Sequence, residues 1–223
     1  DSPPESAPLS FPCTMESVPA FLQKSWTPKG RIFAVFACML LCLAALGVLQ
    51  LKLFKPKHKD FYSFQVLSSK GKPVSLEKYR GKASLVVNVA SKCEHTEKNY
   101  RALQEMQREL GPMHFNVLAF PCNQFGKSEP ATNSHIDSFS KTSHGVTFPV
   151  FGKIKVLGNE SEPAFRYLID TTKMEPRWNF WKYLVNPKGQ VIKVWRTEDP
   201  MAAIKQEVSE LVANIILKRR DEF

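Results

Sequence analysis

Leu85-Val86-Val87-Asn88-Val89-Ala90 is a nearly continuous apolar run of strand length, the pattern of a strand buried on both faces. The residues that follow set Tyr100, Leu103, Met106 and Leu110 at helical spacing, and Gly111-Pro112 stops that helix. Phe115 to Phe120 then repeats the buried-strand pattern. A strand, a helix and a strand joined this tightly form a right-handed crossover, so the sheet is expected to have a parallel core. Outward from this unit, turn residues mark two hairpins. Ser69-Lys70-Gly71-Lys72 separates residues 61–66 from the stretch around Val74, and Asn186-Pro187-Lys188-Gly189 separates Tyr183-Leu184-Val185 from residues 191–195. Asp199-Pro200 opens a last helix with apolar residues Ile204, Val208, Leu211, Val212 and Ile215. Lys218-Arg219-Arg220 complement the negative end of its dipole. The expectation is an α/β domain, a mixed sheet covered by helices, over residues 61–223.

The 223 residues leave room for one such domain and an appendage, which excludes a large multidomain machine. Apolar residues at 43% and charged residues at 23% exclude a disordered chain and a polytopic membrane protein. Lys and Arg outnumber Asp and Glu by 31 to 21, and the first 49 residues carry three of each, so the excess of +10 lies from residue 50 onward. A basic half attracts anionic lipid, nucleic acid or acidic partners in some proteins and none of them in others. It selects no function, and nucleic acid is not an expected partner.

Residues 32–49 are eighteen uncharged residues, long enough to span a bilayer. A buried core helix and a signal peptide cleaved near Ala45-Leu46-Gly47 are the alternatives. The length of the run and the thirty-one residues before it favour an uncleaved single-pass anchor. On this reading the chain divides into a tail (1–31), a signal anchor (32–52), a basic linker (53–60) and the domain (61–223). Lys24, Lys29 and Arg31 on one side face Lys52, Lys55, Lys57 and Lys59 on the other, so charge alone does not orient the span. Asn159-Glu160-Ser161 is a glycosylation sequon, a tripeptide that also arises by chance.

Five cysteines (Cys13, Cys38, Cys42, Cys93, Cys122) are too few and too unevenly spaced for a disulfide scaffold, and none forms a CxxC pair. Any thiol chemistry therefore starts from a single cysteine. Cys93 stands between the strand ending at Ala90 and the helix that carries Tyr100. Ser91 with Glu94 offers an S-x-x-E capping box, and Thr96 with Glu97 and Asn99 offers a later helix start. Either register brings Cys93 within about one turn of unpaired backbone N–H groups, which favour a thiolate. Such a site suits redox or acyl chemistry, and a structural cysteine at a strand end is the other reading of the position.

Three blocks occur in order: Asn88-Val89-Ala90-Ser91-Lys92-Cys93 with Thr96 and Asn99-Tyr100; Phe120-Pro121-Cys122-Asn123-Gln124-Phe125-Gly126 with Glu129-Pro130; and Trp178-Asn179-Phe180. Together they resemble the glutathione peroxidase family. The resemblance implies a thioredoxin-like fold with Cys93 at the peroxidatic position and Gln124, Trp178 and Asn179 at the other positions of a catalytic tetrad. Neutral amide and indole donors would stabilise developing charge while Cys93 becomes a sulfenic acid. The implied substrates are hydrogen peroxide and organic hydroperoxides, with a thiol co-substrate and no cofactor or metal.

This chain departs from the family at three points. Glu94 stands where the family usually has Gly, and a carboxylate beside the sulfur opposes ionisation and slows attack. Residues 134–145 lack the resolving cysteine of many relatives. Cys122 either resolves Cys93 after a loop movement or is a buried motif cysteine, and an external thiol is the simpler expectation. Seven residues separate Asp170 from Trp178, so the longer loop that builds tetramers in relatives is missing and a monomer with an open site is implied. With the anchor, the chain resembles the family's form tethered in the endoplasmic reticulum membrane, its domain in the lumen. Protein disulfide isomerases are then the implied reductants, and glutathione a weaker one. The alternative function is a catalytically weak, membrane-tethered adaptor for lumenal oxidative-folding proteins. A disulfide oxidoreductase or copper carrier of the same fold would need a second cysteine, which residues 94–97 do not supply.

Overall fold

The computed structural model describes Lys29, residues 36–43 and residues 60–221, and the chain divides into two units, residues 1–57 and 58–223. In the first unit, residues 36–43 are helical and exposed. Most of the expected anchor lies outside the described residues, as do the tail apart from Lys29 and the linker apart from Asp60. Among the described residues no helix is long and apolar enough to cross a membrane.

The second unit opens with a 3-10 turn at Phe61–Ser63, whose start is capped by the Asp60 carboxylate accepting from Tyr62 N–H. Gln65–Leu67 (β1) and Pro73–Ser75 (β2) form the expected antiparallel hairpin. Gly71 closes it at φ +72°, a left-handed conformation that only glycine adopts without strain. Ala83–Val89 (β3) is buried at every position, as is Phe115–Pro121 (β4), and Thr96–Leu110 (α1) connects them. The two strands pair in parallel from Ala83 opposite Phe115 to Val89 opposite Pro121.

Asn133–His144 (α2) and Pro163–Thr172 (α3) follow, then Lys182–Val185 (β5) and Val191–Trp195 (β6), and Met201–Asp221 (α4) completes the chain. β5 runs antiparallel to both β3 and β6, giving a mixed sheet of order β4-β3-β5-β6. The alternation of β3 divides the core. Leu85, Val87 and Val89 pack with Tyr100, Leu103 and Met106 of α1 and with Ile204, Val208 and Val212 of α4. Val86 faces the opposite cluster, with Phe61, Phe120, Phe165 and Tyr183. Each fully buried side chain of this size contributes roughly 1.5–3 kcal/mol. Because β3 and β4 are parallel, they release their chains side by side after Val89 and Pro121. The antiparallel β5 starts at the same end, with Lys182 opposite Val87.

Candidate active site

Three loops meet at that end of the sheet. The first leaves β3 and turns through Cys93 into α1. Thr96 organises it: its hydroxyl donates to Ala90 O at 2.8 Å and accepts from Cys93 N–H at 3.0 Å, while its own N–H donates to Cys93 O at 3.0 Å. The helix thus takes the later of the two starts. The Ser91–Glu94 box does not form, because the Ser91 hydroxyl donates to Glu129 in the second loop. Cys93 is half-buried against the core face shared with α1, three residues ahead of the helix. The Glu94 carboxylate, on an exposed side chain, lies 3.3 Å from His95 Nε2.

The second loop begins at Cys122, whose N–H donates to Val89 O at 3.0 Å. Cys122 is fully buried, and that burial pushes its thiol pKa up. Gln124 N–H points at Cys122 Sγ from 3.5 Å. The Gln124 side chain is engaged by the neighbouring segment: Oε1 accepts from Val156 N–H at 2.6 Å and Leu157 N–H at 2.9 Å, and Nε2 donates to Leu157 O at 3.0 Å. Its amide therefore reads backbone rather than Cys93. Further along, Lys92 N–H donates to Ser128 O at 2.9 Å, a second tie between the first two loops.

Trp178 and Asn179 are on the third loop, just ahead of β5. The Asn179 side chain is fully buried, and its Nδ2 donates to Phe125 O at 3.2 Å. Its Oδ1 has no partner among the described residues. The Trp178 ring lies over Gly126, where a Cβ would come within 3.0 Å of Cη2, and 40% of the residue is exposed. Asn88 holds this loop with three bonds. Its Nδ2 donates to Trp178 O at 3.0 Å, its carbonyl accepts from Phe180 N–H at 2.6 Å, and its Oδ1 accepts from Trp181 N–H at 2.8 Å.

Two buried ionisable groups border the three loops. Burial raises the pKa of the Glu129 carboxyl, opposed by the Ser91 hydroxyl and by Lys153. Burial lowers the Lys182 ammonium from 10.5 to about 8. In the sequence Glu129 stands out only as part of the second block, and nothing local marks Lys182 or the role of Asn88. The available signal was weak: Asn88 is the one polar residue of an otherwise apolar buried run. No group of three or more His, Cys, Asp or Glu among the described residues is arranged to hold a metal ion.

The glutathione peroxidase family profile matches residues 61–169. Over 209 residues, 94% of this chain and 100% of the other, the sequence is 58% identical to "Probable glutathione peroxidase 8-B" of Xenopus laevis. The chain belongs to the glutathione peroxidase family. It is accordingly a peroxidase-type oxidoreductase. Cys93 and Gln124 fall inside the matched range, and Trp178 and Asn179 lie beyond it. The crystal structure of T. cruzi GPX1, a glutathione peroxidase 28% identical, aligns with a TM-score of 0.58 over 70% of this chain and 97% of that one. A thioredoxin-family thiol:disulfide interchange protein from Chlorobium tepidum, 16% identical, aligns at 0.53 over 69% and 96%, a likeness of fold alone. The fold is thioredoxin-like, and the crossover and mixed sheet agree with it.

Proposed function

We propose that Cys93 carries the peroxidase chemistry, with Gln124, Trp178 and Asn179 as its donors, and that hydrogen peroxide and organic hydroperoxides are the substrates. The observation that supports this reading is convergence: the loops bearing these residues leave one end of the sheet and are hydrogen-bonded to one another. The Cys93 thiolate attacks one peroxide oxygen. An S–O bond forms, the O–O bond breaks, and the other oxygen takes up a proton and leaves as water or alcohol. Cys93 is oxidised to the sulfenic acid and the peroxide is reduced. The Trp178 indole N–H and the Asn179 amide are neutral donors that stabilise charge without competing as bases. Gln124 joins them once its amide leaves the Leu157 carbonyl.

Reduction needs two thiols. The first condenses with the sulfenic acid, releasing water and forming a mixed disulfide; the second displaces Cys93 as a thiol and leaves with the first as a disulfide. The half-exposed Trp178 leaves the rim of the site open, which suits a protein thiol such as that of a protein disulfide isomerase, with glutathione as a weaker donor. Cys122 is buried and its thiol is disfavoured as a thiolate, which supports an external reductant over resolution by Cys122 unless residues 122–126 move. The protein acts as a monomer without a cofactor. The apolar run of residues 32–49 supports a single-pass anchor, and the likeness to glutathione peroxidase 8 supports the endoplasmic reticulum membrane with residues 61–223 in the lumen.

The test is peroxide consumption by the full chain in detergent, with glutathione or a reduced isomerase as donor. Cys93→Ser is expected to fall to background, with no sulfenic acid trapped by dimedone. Trp178→Phe should lose about a hundredfold in the rate of Cys93 oxidation. Consumption by Cys93→Ser equal to that of the parent would overturn the reading.

A further inference from the structure

The turn that presents Trp178 and Asn179 is held from behind by groups that take no part in the chemistry above. Phe180 sits at φ +65°, a conformation disfavoured for any residue with a Cβ. Such a conformation persists only where its surroundings over-determine it. Here five backbone polar groups of the turn and its exit are gripped. Asn88 takes Trp178 O, Phe180 N–H and Trp181 N–H, the Thr197 hydroxyl donates to Asn179 O, and Lys182 Nζ donates to Phe180 O at 2.7 Å. Asn88 and Thr197 are neutral at every pH of interest. Lys182 alone among these grips changes charge.

Lys182 is also an unexpected residue to find there. It is fully buried on β5, and its sheet partners, Val87 on β3 and Trp195 on β6, carry no charge. An apolar side chain of the same length would fill that space without the penalty of desolvating an ammonium. Packing alone therefore does not call for lysine. We propose that Lys182 is a positioning residue for peroxide reduction: its ammonium grips the Phe180 carbonyl and so keeps the strained 178–180 turn aimed, with Trp178 over Gly126 and the Asn179 amide on Phe125. This role rests on reading Trp178 and Asn179 as donors to the reacting oxygen.

A distinctive pH dependence follows. Burial lowers the Lys182 pKa to about 8; Asp199 and Glu198, ahead of α4, act to raise it, and Lys98 on α1 acts to lower it further. Below that value the grip is a charge-assisted hydrogen bond, and above it only a weaker amine donor remains. The oxidation of Cys93 should therefore slow above about pH 8, the opposite of what a growing thiolate fraction alone would give.

The experiment measures the second-order rate of hydrogen peroxide with Cys93 in the full chain in detergent, from neutrality to about pH 10. It compares the parent, Lys182→Met and Trp178→Phe, with melting curves to show that each is folded. The expected result is a falling alkaline limb in the parent. Lys182→Met should be slower by about ten- to a hundredfold at neutral pH and lack that limb. A Lys182→Met protein with the parent's rate and limb overturns the proposal, as does one that is slower but keeps the limb. Should Lys182→Met not melt cooperatively, the parent's own profile decides: a fall near pH 8 supports the proposal, and a rate that only rises to a plateau overturns it. Trp178→Phe separates the two levels. If it reacts as fast as the parent, the donor assignment fails; if it is slowed while Lys182→Met is unaffected, only the lysine's role fails.

Discussion

Glu129 shows how far a single residue can be displaced from its ordinary chemistry. It is fully buried, with Oε1 on the Ser91 hydroxyl and Oε2 without a partner among the described residues. Its pKa is raised, chiefly by desolvation, so the folded chain keeps this proton to a higher pH than the unfolded chain does. From the unfolded value of 4.5 up to the raised folded value, the native state binds more protons, and stability falls as pH rises through that window. Glu129→Gln keeps an acceptor for Ser91 and removes the titration. Its urea midpoint should match the parent's at about pH 4 and exceed it at neutral pH. An equal offset at both pH values would show that the substitution acts through packing alone. Cys93 was legible because its neighbours in sequence carry the motif. The settings of Glu129, Asn88 and Lys182 were not, since their partners lie elsewhere in the chain: Ser91 for Glu129, and Trp178 and Trp181 for Asn88. Lys182 bonds its near neighbour Phe180, but its burial is a tertiary property.

At the scale of elements, the second loop is fitted to the third through Gly126. It sits at φ +63°, and a Cβ there would come within 3.0 Å of Trp178 Cη2 and 3.3 Å of Ser128 Oγ. Gly126→Ala should therefore cost ~1 kcal/mol in denaturant unfolding through backbone strain. It should also displace the indole, so that the peroxide rate falls by more than the lost stability explains. A variant that is less stable yet reacts as fast as the parent would show that the ring's seat on Gly126 does not matter to the chemistry. Where an element announces itself by local chemistry, the sequence reading held. Both hairpins formed at turns closed by Gly71 and Gly189, each at positive φ. Helix α3 went unread because its ten residues bury only Ala164, Phe165 and Leu168, too short a pattern to declare a period, although Pro163 in its first turn is a start signal. The capping choice at Ser91 was undecidable locally, because the carboxylate it found is thirty-eight residues away.

The whole domain is closed by its last helix. Ile204, Val208, Val212 and Ile215 of α4 join the cluster that holds β3 and α1, the two elements that flank Cys93, although α4 lies beyond the residues matched by the family profile. Ile204→Ala is expected to destabilise the fold by about 2–4 kcal/mol in denaturant. The rate of Cys93 oxidation per folded molecule should stay unchanged; a rate that dropped in the folded fraction would mean that α4 sets the site's geometry as well as its stability. The exposure of the three indoles in the domain has a use of its own. Trp181 and Trp195 are 5% and 6% exposed, whereas Trp178 faces water. In a Trp26→Phe chain, which leaves only these three emitters, the long-wavelength edge of the fluorescence should therefore belong to the third loop, and iodide in the buffer should quench that emitter first. The mouth of the site can be watched by light, in real time, without attaching a dye.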